Sequence, residues 1–404
     1  MTTFEPHRLA LGLALAGCAG LTQAAGFALI EQNASGLGNA FAGQAASAQD
    51  ASTIFFNPAG LTLLPDRQVV MAGHLIKPQA EFSGSSTIGG NDGGDAGGLA
   101  FVPNAYLAYR LTPDLTAGMG MNAPFGLKTE YDSGWLGRTQ GIKSELKTIN
   151  INPSLGWKAT PTFSLGAGLS IQYAEATLSN ATNATFPPNS IGVVKGDDVS
   201  WGFNLGALWQ VTPGTRVGLA YRSEVDHTLK GDLKINGSTA VDPVYADVVL
   251  PDSASLSVVH KLNSRWELLA DVTWTGWSDF KELRIVNAAG SPVALTIENW
   301  KDSYRYSAGA NYRMNEKLSL RGGVAYDETP VSDAFRTVRI PDQSRTWLAF
   351  GVQYQLSNKT ALDMGYAHLF VKDAQINKTE SGVTVSGKYD ASVDILSAQL
   401  THSF

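Results

Sequence analysis

Beyond residue 24 this chain of 404 residues contains no cysteine; its single thiol is Cys18. The body of the protein therefore has neither a disulfide framework nor thiol chemistry available to it. Charge is scarce as well. Asp, Glu, Lys and Arg make up 16% of the residues, too few for an ordinary soluble enzyme. The net charge of −6 offers no footprint for nucleic acid. After the first 24 residues no apolar run reaches the roughly 18 residues that a membrane-spanning helix needs. Catalytic signatures are missing too: there is no G-x-S-x-G and no H-E-x-x-H. His7, His74, His227, His260, His368 and His402 are scattered, without metal-ligand spacing. Gly36-Leu37-Gly38 lacks the strand and third glycine of a dinucleotide loop. The expectation is a protein that is not an enzyme, with no metal, no cofactor and no nucleic-acid partner.

What is present begins with an export signal. Arg8 precedes the apolar run Leu9 to Gly17, and small residues lead to Thr22-Gln23-Ala24. This is a signal peptide over 1–24, too short to span a bilayer as a helix. Leu15-Ala16-Gly17-Cys18 also fits a lipoprotein signal, which would make Cys18 the first, lipidated residue. At the other end, Leu396, Ala398, Leu400 and Phe404 share one face of VDILSAQLTHSF, opposite Ser397, Gln399, Thr401 and Ser403. A last strand ending on an aromatic resembles the signal read by barrel-assembly machinery.

Alternation with a period of two recurs along most of the chain. Trp266, Leu268, Ala270, Val272 and Trp274 face away from Glu267, Asp271, Thr273 and Thr275; Phe163 to Tyr173 and Tyr304 to Tyr312 alternate in the same way. Such segments set an apolar medium on one side against a polar one on the other. A soluble sandwich would alternate too, so the turns decide. Tight turns are expected at Thr112-Pro113-Asp114, Thr160-Pro161-Thr162, Thr212-Pro213-Gly214, Leu262-Asn263-Ser264, Met314-Asn315-Glu316 and Leu356-Ser357-Asn358. Long polar or Gly-rich stretches separate them. Short turns on one side and long loops on the other belong to outer-membrane barrels. Six hairpins, one strand before them and one after give an all-β, 14-stranded antiparallel transmembrane barrel over 67–404, with both terminal strands meeting the periplasm. Trp135, Trp157, Trp201, Trp209, Trp277, Trp300 and Trp347 either form the interfacial girdles or cover loop cores.

Residues 25–66 do not alternate. They are rich in Ala and Gly, punctuated by Pro58 and Pro65, and carry Phe27, Leu29, Ile30, Leu37, Phe41, Ile54, Phe55 and Phe56. So many large apolar groups do not belong in a solvated tail, and the segment is expected to fold into the lumen as a plug.

Specific strings then resemble one family. AGFALIEQNASGLGNAFAG and AQDASTIFFNPAGL are similar to the hatch of the FadL family of outer-membrane transporters for hydrophobic compounds, which includes hydrocarbon channels. Asn57-Pro58-Ala59 matches that family's NPA motif, and further matches such as NAPFGLKTEYDSGWLGR (122–138), NWKDSYRYSAG (299–309) and IPDQSRTWLAFG (340–351) follow in order along the chain. The resemblance implies a monomeric channel in the Gram-negative outer membrane, in contact with its lipid and lipopolysaccharide. It implies uptake of long-chain fatty acids through an apolar lumenal site, with lateral exit through the wall; the lack of a nucleotide site and of an energy-coupling motif near the N-terminus adds the expectation that uptake is passive. An aromatic or aliphatic hydrocarbon channel of the same family is the alternative, and a structural or adhesive barrel a further one.

Proline cannot donate to a ladder and glycine weakens it, so Asn122-Ala123-Pro124-Phe125-Gly126 interrupts the third strand; the resemblance implies that it forms the family's wall kink and lateral opening, against a simple strand end running into a loop. Phe27, Leu29 and Ile30 are the candidates for lining the pocket, or else they pack the plug in place. Asn57, Pro58 and Ala59 form a fixed turn that positions the hatch. A buried carboxylate needs a cation, and Lys301 and Arg305 are the candidates, against ordinary pairing with an acid such as Asp302. Where fatty-acid members carry basic residues, at the end of the fifth strand, this chain has Glu175, Thr177 and Asn180. That departure favours a ligand without charge.

Overall fold

A computed structural model describes residues 26–185, 188, 190–236, 238 and 240–404. The expected signal peptide, Cys18 and Ala25 lie outside the described residues. No helix among those residues is long and apolar enough to cross a membrane; the crossing is made by strands.

Fourteen strands close into one antiparallel barrel. Eight are continuous: β1 (Arg67–Ser86), β2 (Ala100–Thr112), β4 (Lys143–Thr160), β5 (Phe163–Ala181), β6 (Ile191–Thr212), β11 (Leu318–Asp327), β12 (Arg345–Ser357) and β14 (Val383–Ser403). Six are interrupted once. These are β3 (Leu115–Asn122, Gly126–Glu130), β7 (Thr215–Arg222, Val225–Ile235), β8 (Val241–Leu250, Ser253–Lys261), β9 (Trp266–Thr275, Glu282–Asn287), β10 (Pro292–Ile297, Ser303–Arg313) and β13 (Thr360–Val371, Ala374–Glu380). β1 and β14 pair from Gln68↔Ser403 to Ser86↔Val385, which removes both edges. Closure matters physically because lipid offers no partner for a free backbone group.

The alternation read from the sequence sorts side chains as expected. Met71, Leu75, Leu155, Leu205, Leu219 and Phe350 are exposed on the outer face. Asn104, Asn150, Asn152, Gln172, Asn204 and Gln399 are buried on the inner one. Trp157, Trp201 and Trp209 are exposed at the wall, in line with a girdle, whereas Trp135, Trp277, Trp300 and Trp347 are buried and pack interior clusters instead. Sequence position could not separate these two groups.

The lumen is filled by three one-turn helices, α1 (Ala34–Leu37), α2 (Gln44–Ser47) and α3 (Thr53–Phe56), and by a 3-10 helix over Pro58–Leu63. Helices this short leave most of their backbone groups unpartnered. The polar inner wall supplies the partners. Ala34 N donates to Gln399 (3.0 Å), Ala45 N to Ser257 (3.1 Å) and Ala51 N to Gln68 (2.8 Å), while Arg216 donates to the carbonyls of Ala46 and Ser47. Asn57 is the central pin. Its Nδ2 donates to Ala45 O (2.6 Å) and to Ala207 O on the wall (3.0 Å), and its Oδ1 accepts from Ala59 N (3.0 Å). The wall comes so close that a Cβ at Gly206 would sit 1.9 Å from Asn57 Oδ1.

Candidate functional site

Two cavities lie between hatch and wall. The inner chamber has about 1090 Å³ of atom-free space, part of it open to solvent; Ala28, Leu29, Ile30, Phe41, Phe55 and Phe56 line it from the hatch, and Pro124, Phe125, Arg222 and Arg305 from the wall. The outer chamber, about 820 Å³, is lined mainly by apolar groups, among them Phe27, Leu127, Leu146, Leu178, Val194, Leu229, Val248, Phe280 and Ile340.

An aromatic partition lies between them. The Phe27 ring meets those of Trp277 (4.6 Å between centroids), Phe280 and Trp300 (both 5.6 Å) and Phe125 (6.3 Å). Phe27 and Phe280 face the outer chamber, Trp277 and Phe125 the inner. Among the described residues, Phe27 is the only ring that the hatch adds to the partition. The hatch end is fixed just before it, where Gly26 N donates to Asp342 (3.1 Å).

β3 is interrupted between Asn122 and Gly126. The ladder between β2 and β3 ends at Ala105↔Met121, and the outer half of β3 pairs only with β4, from Gly126↔Lys147 onward. The vacated edge is taken by the hatch: Leu29 N donates to Pro124 O (2.8 Å), Gly126 N donates to Phe27 O (2.8 Å), and Ala28 bridges Phe125. Gln32 Nε2 adds a bond to Ala123 O (2.9 Å), while Asn122 Oδ1 accepts from Asn150 (3.1 Å). The same few hatch residues thus occupy the gap in the wall and the gap between the chambers.

The two expected cations are in different settings. Lys301 is exposed in the connection 298–302 and borders neither chamber. Arg305 is buried at the inner chamber, donating to Ala40 O (2.8 Å) with its guanidinium 5.0 Å from the Trp347 ring. Asp271 and Asp327 line the same chamber, so its positive charge is offset. Asp302 does not pair with Arg305; it accepts from Trp274 Nε1 and Ser278 N.

The residue missed by sequence reasoning is Arg339, in the connection between β11 and β12. It is part-buried at the outer chamber, and its Nη1 donates to Ser144 Oγ (3.0 Å), Lys143 O (3.1 Å) and Ser179 O (3.4 Å). All three acceptors are neutral, and no carboxylate among the described residues lies within ion-pair distance of it. Burial pushes the guanidinium down to about 10, which leaves it cationic at neutral pH. Glu298, at the same chamber, is buried and accepts from Trp300 Nε1. No pattern in the sequence marks Arg339, because it lies in an irregular loop. Nor do the described residues contain a group of His, Cys, Asp and Glu able to hold a metal ion.

A plugged barrel with apolar chambers and an interrupted wall defines a class: an outer-membrane transporter of hydrophobic molecules. The chain belongs to the outer membrane protein transport protein family (OMPP1/FadL/TodX), whose model matches residues 15–404. It is 32% identical to a 47 kDa outer membrane protein of Pasteurella multocida, over 95% of each chain. It is 27% identical to a long-chain fatty acid transport protein of Escherichia coli, over 100% of this chain and 99% of the other. Among solved structures, a Pseudomonas aeruginosa FadL homologue superposes with a TM-score of 0.88 at 26% identity, covering 94% of this chain and 100% of that one. The protein is accordingly an outer-membrane transporter of hydrophobic substrates.

Proposed function

We propose that the substrate is a long-chain fatty acid, taken up passively by a monomeric channel rather than turned over by an enzyme. The observation that carries this reading is Arg339, a guanidinium whose hydrogen-bond partners are neutral, at the edge of a mainly apolar chamber that Glu145 and Glu298 also border. A hydrocarbon has no use for such a group. A carboxylate does, because a charge-assisted bond to Arg offsets the cost of leaving water. The acyl chain lies along Leu146, Leu178, Val194 and Leu229, gaining about 0.8 kcal/mol per buried methylene. Departure of Phe27 from the partition opens the way to Leu29 and Ile30 in the inner chamber. Withdrawal of the same strand from Pro124 and Gly126 frees the lateral opening at 122–126 toward the bilayer. No ladder bond of the wall has to break, since the hatch alone occupies that edge.

The hydrocarbon alternative is favoured by one observation: the inner chamber sets Asp271 and Asp327 against Arg222 and Arg305, leaving little net attraction for an anion there. Native mass spectrometry of the purified protein against palmitic acid, methyl palmitate and toluene separates the two. Fatty-acid transport requires the acid to be retained preferentially, and Arg339→Met to reduce its affinity about 10- to 100-fold while leaving the ester unchanged. Indifference between acid and ester, or preference for toluene, overturns the fatty-acid reading and leaves the hydrocarbon channel.

A further inference from the structure

Away from the kink, a second seam of the wall lacks its ladder. β6 and β7 pair from Thr212↔Thr215 up to Asn204↔Arg222, and pairing resumes only at Asp197↔Lys230. Between those points no ladder joins residues 198–203 to residues 223–229, although each strand stays paired with its other neighbour, and the extra residue falls at the interruption Ser223-Glu224. Few bonds cross the seam. Ser223 N donates to Phe203 O (2.9 Å) and Phe203 N to Ser223 Oγ (2.9 Å). Farther out, His227 is buried on the lumenal side, with Nδ1 3.0 Å from Asp198 Oδ2 and Nε2 3.2 Å from Gln172 Oε1. One imidazole therefore laces β7 to β6 and, beyond it, to β5.

The surroundings of the seam are suited to an apolar passenger. Outside it, Val199, Trp201 and Phe203 are exposed, continuing the lipid-facing row of Leu205 and Trp209. Below it, Asn204, Tyr221 and Arg222 border the inner chamber; above it, Val194, Gly196 and Leu229 border the outer one. A barrel gains nothing from unpaired strands in lipid, where a free backbone group costs several kcal/mol. A gap kept there, at the height of both chambers, points to use rather than to stability.

We propose that the seam between β6 and β7 is a second lateral port, through which apolar molecules dissolved in the outer leaflet enter the chambers directly. Molecules from water enter over the extracellular loops; those already in lipid pass between Phe203 and Leu229 when His227 swings off Asp198. The port is distinct from the opening at 122–126, and it rests on the family's transport of hydrophobic compounds rather than on Arg339.

A disulfide can close this port. A Cβ at Gly202 would lie 3.0 Å from Val225 Cγ2, so Gly202→Cys with Val225→Cys brings two thiols within bonding reach, and the described residues contain no other cysteine. The protein is reconstituted in nanodiscs and its occupancy followed by native mass spectrometry, with hexadecane supplied from loaded vesicles or palmitic acid supplied from albumin in water. Oxidation is expected to slow filling by hexadecane at least tenfold and leave filling by palmitic acid unchanged, with reductant restoring the first rate. Equal hexadecane rates in the oxidised and reduced protein overturn the port. Equal slowing of both ligands overturns it as well, since the seam is then a hinge of the whole barrel. His227→Ala, which needs no new bond, is expected to speed filling by hexadecane several-fold, and an unchanged rate again overturns the proposal. Retention of palmitic acid from water by the unaltered protein tests the transport reading separately, so the two failures are distinguishable.

Discussion

The periplasmic and extracellular halves of this barrel are built on opposite principles. In the periplasmic half the tight turns join strands whose ladders run without a gap, and the hatch is bonded to the wall at Asn57, Gln399, Ser257 and Gln68. In the extracellular half six strands are interrupted. Those of β7 to β10 break at one height, just beyond the paired row Arg222, Ser253, Thr275 and Ser303. The outer chamber, the partition, the kink and the β6–β7 seam lie at or beyond that row, while the inner chamber reaches below it to Ala220, Ser255, Asp271 and Arg305. Sealing needs satisfied backbone, and passage needs places where the backbone is not tied to itself. The two demands are met by dividing the molecule along its axis.

Removing the seal should give the largest effect. Deletion of residues 26–66 is expected to turn an electrically tight protein into an open pore, read as a large stepwise conductance in planar bilayers. A tight deletion variant would mean that the loops, not the hatch, close the barrel. Next comes the partition. Phe27→Ala leaves the ring's place among Trp277, Phe280, Trp300 and Phe125 empty, with a cost of about 3–5 kcal/mol to the docking of the hatch end. Hydrogen exchange at Ala28 and Leu29 should accelerate accordingly while Asn57 to Gly60 stay protected; uniform acceleration would show that the hatch moves as one piece.

A smaller effect is expected from Glu298, the buried carboxylate at the same chamber as Arg339. Glu298→Gln removes an acid that faces the ligand's own and should raise retention of palmitic acid severalfold with the methyl ester unchanged; an unchanged affinity for the acid would place the ligand's carboxylate elsewhere. The smallest effect belongs to Lys301→Ala, expected to change acid binding less than twofold because Lys301 borders neither chamber; a tenfold loss would move the anchor out of the outer chamber.

The strands were legible because alternation is local: each residue's face follows from its neighbours two positions away. The six turns were legible for a similar reason, since Thr112-Pro113-Asp114 or Leu262-Asn263-Ser264 imposes its geometry without help from distant chain. The kink at Pro124 could be placed because proline removes a donor wherever it stands. Trp135 and Trp157 look alike in sequence, yet one is buried under a loop and the other faces lipid. Their difference comes from chain far away. Lys301 and Arg339 also lie in similar loops, and only the fold brings Arg339 to Ser144 and the outer chamber.

The sequence by itself determined that the chain is exported, forms a closed sheet of fourteen strands and carries an apolar plug, because periodicity, turn chemistry and composition act over short distances. Only the tertiary structure decided where the ladders fail, which aromatic rings divide the lumen and which guanidinium reaches the outer chamber. Those features depend on the register between strands up to hundreds of residues apart, as between Gln68 and Ser403, and on what closure of the barrel brings face to face.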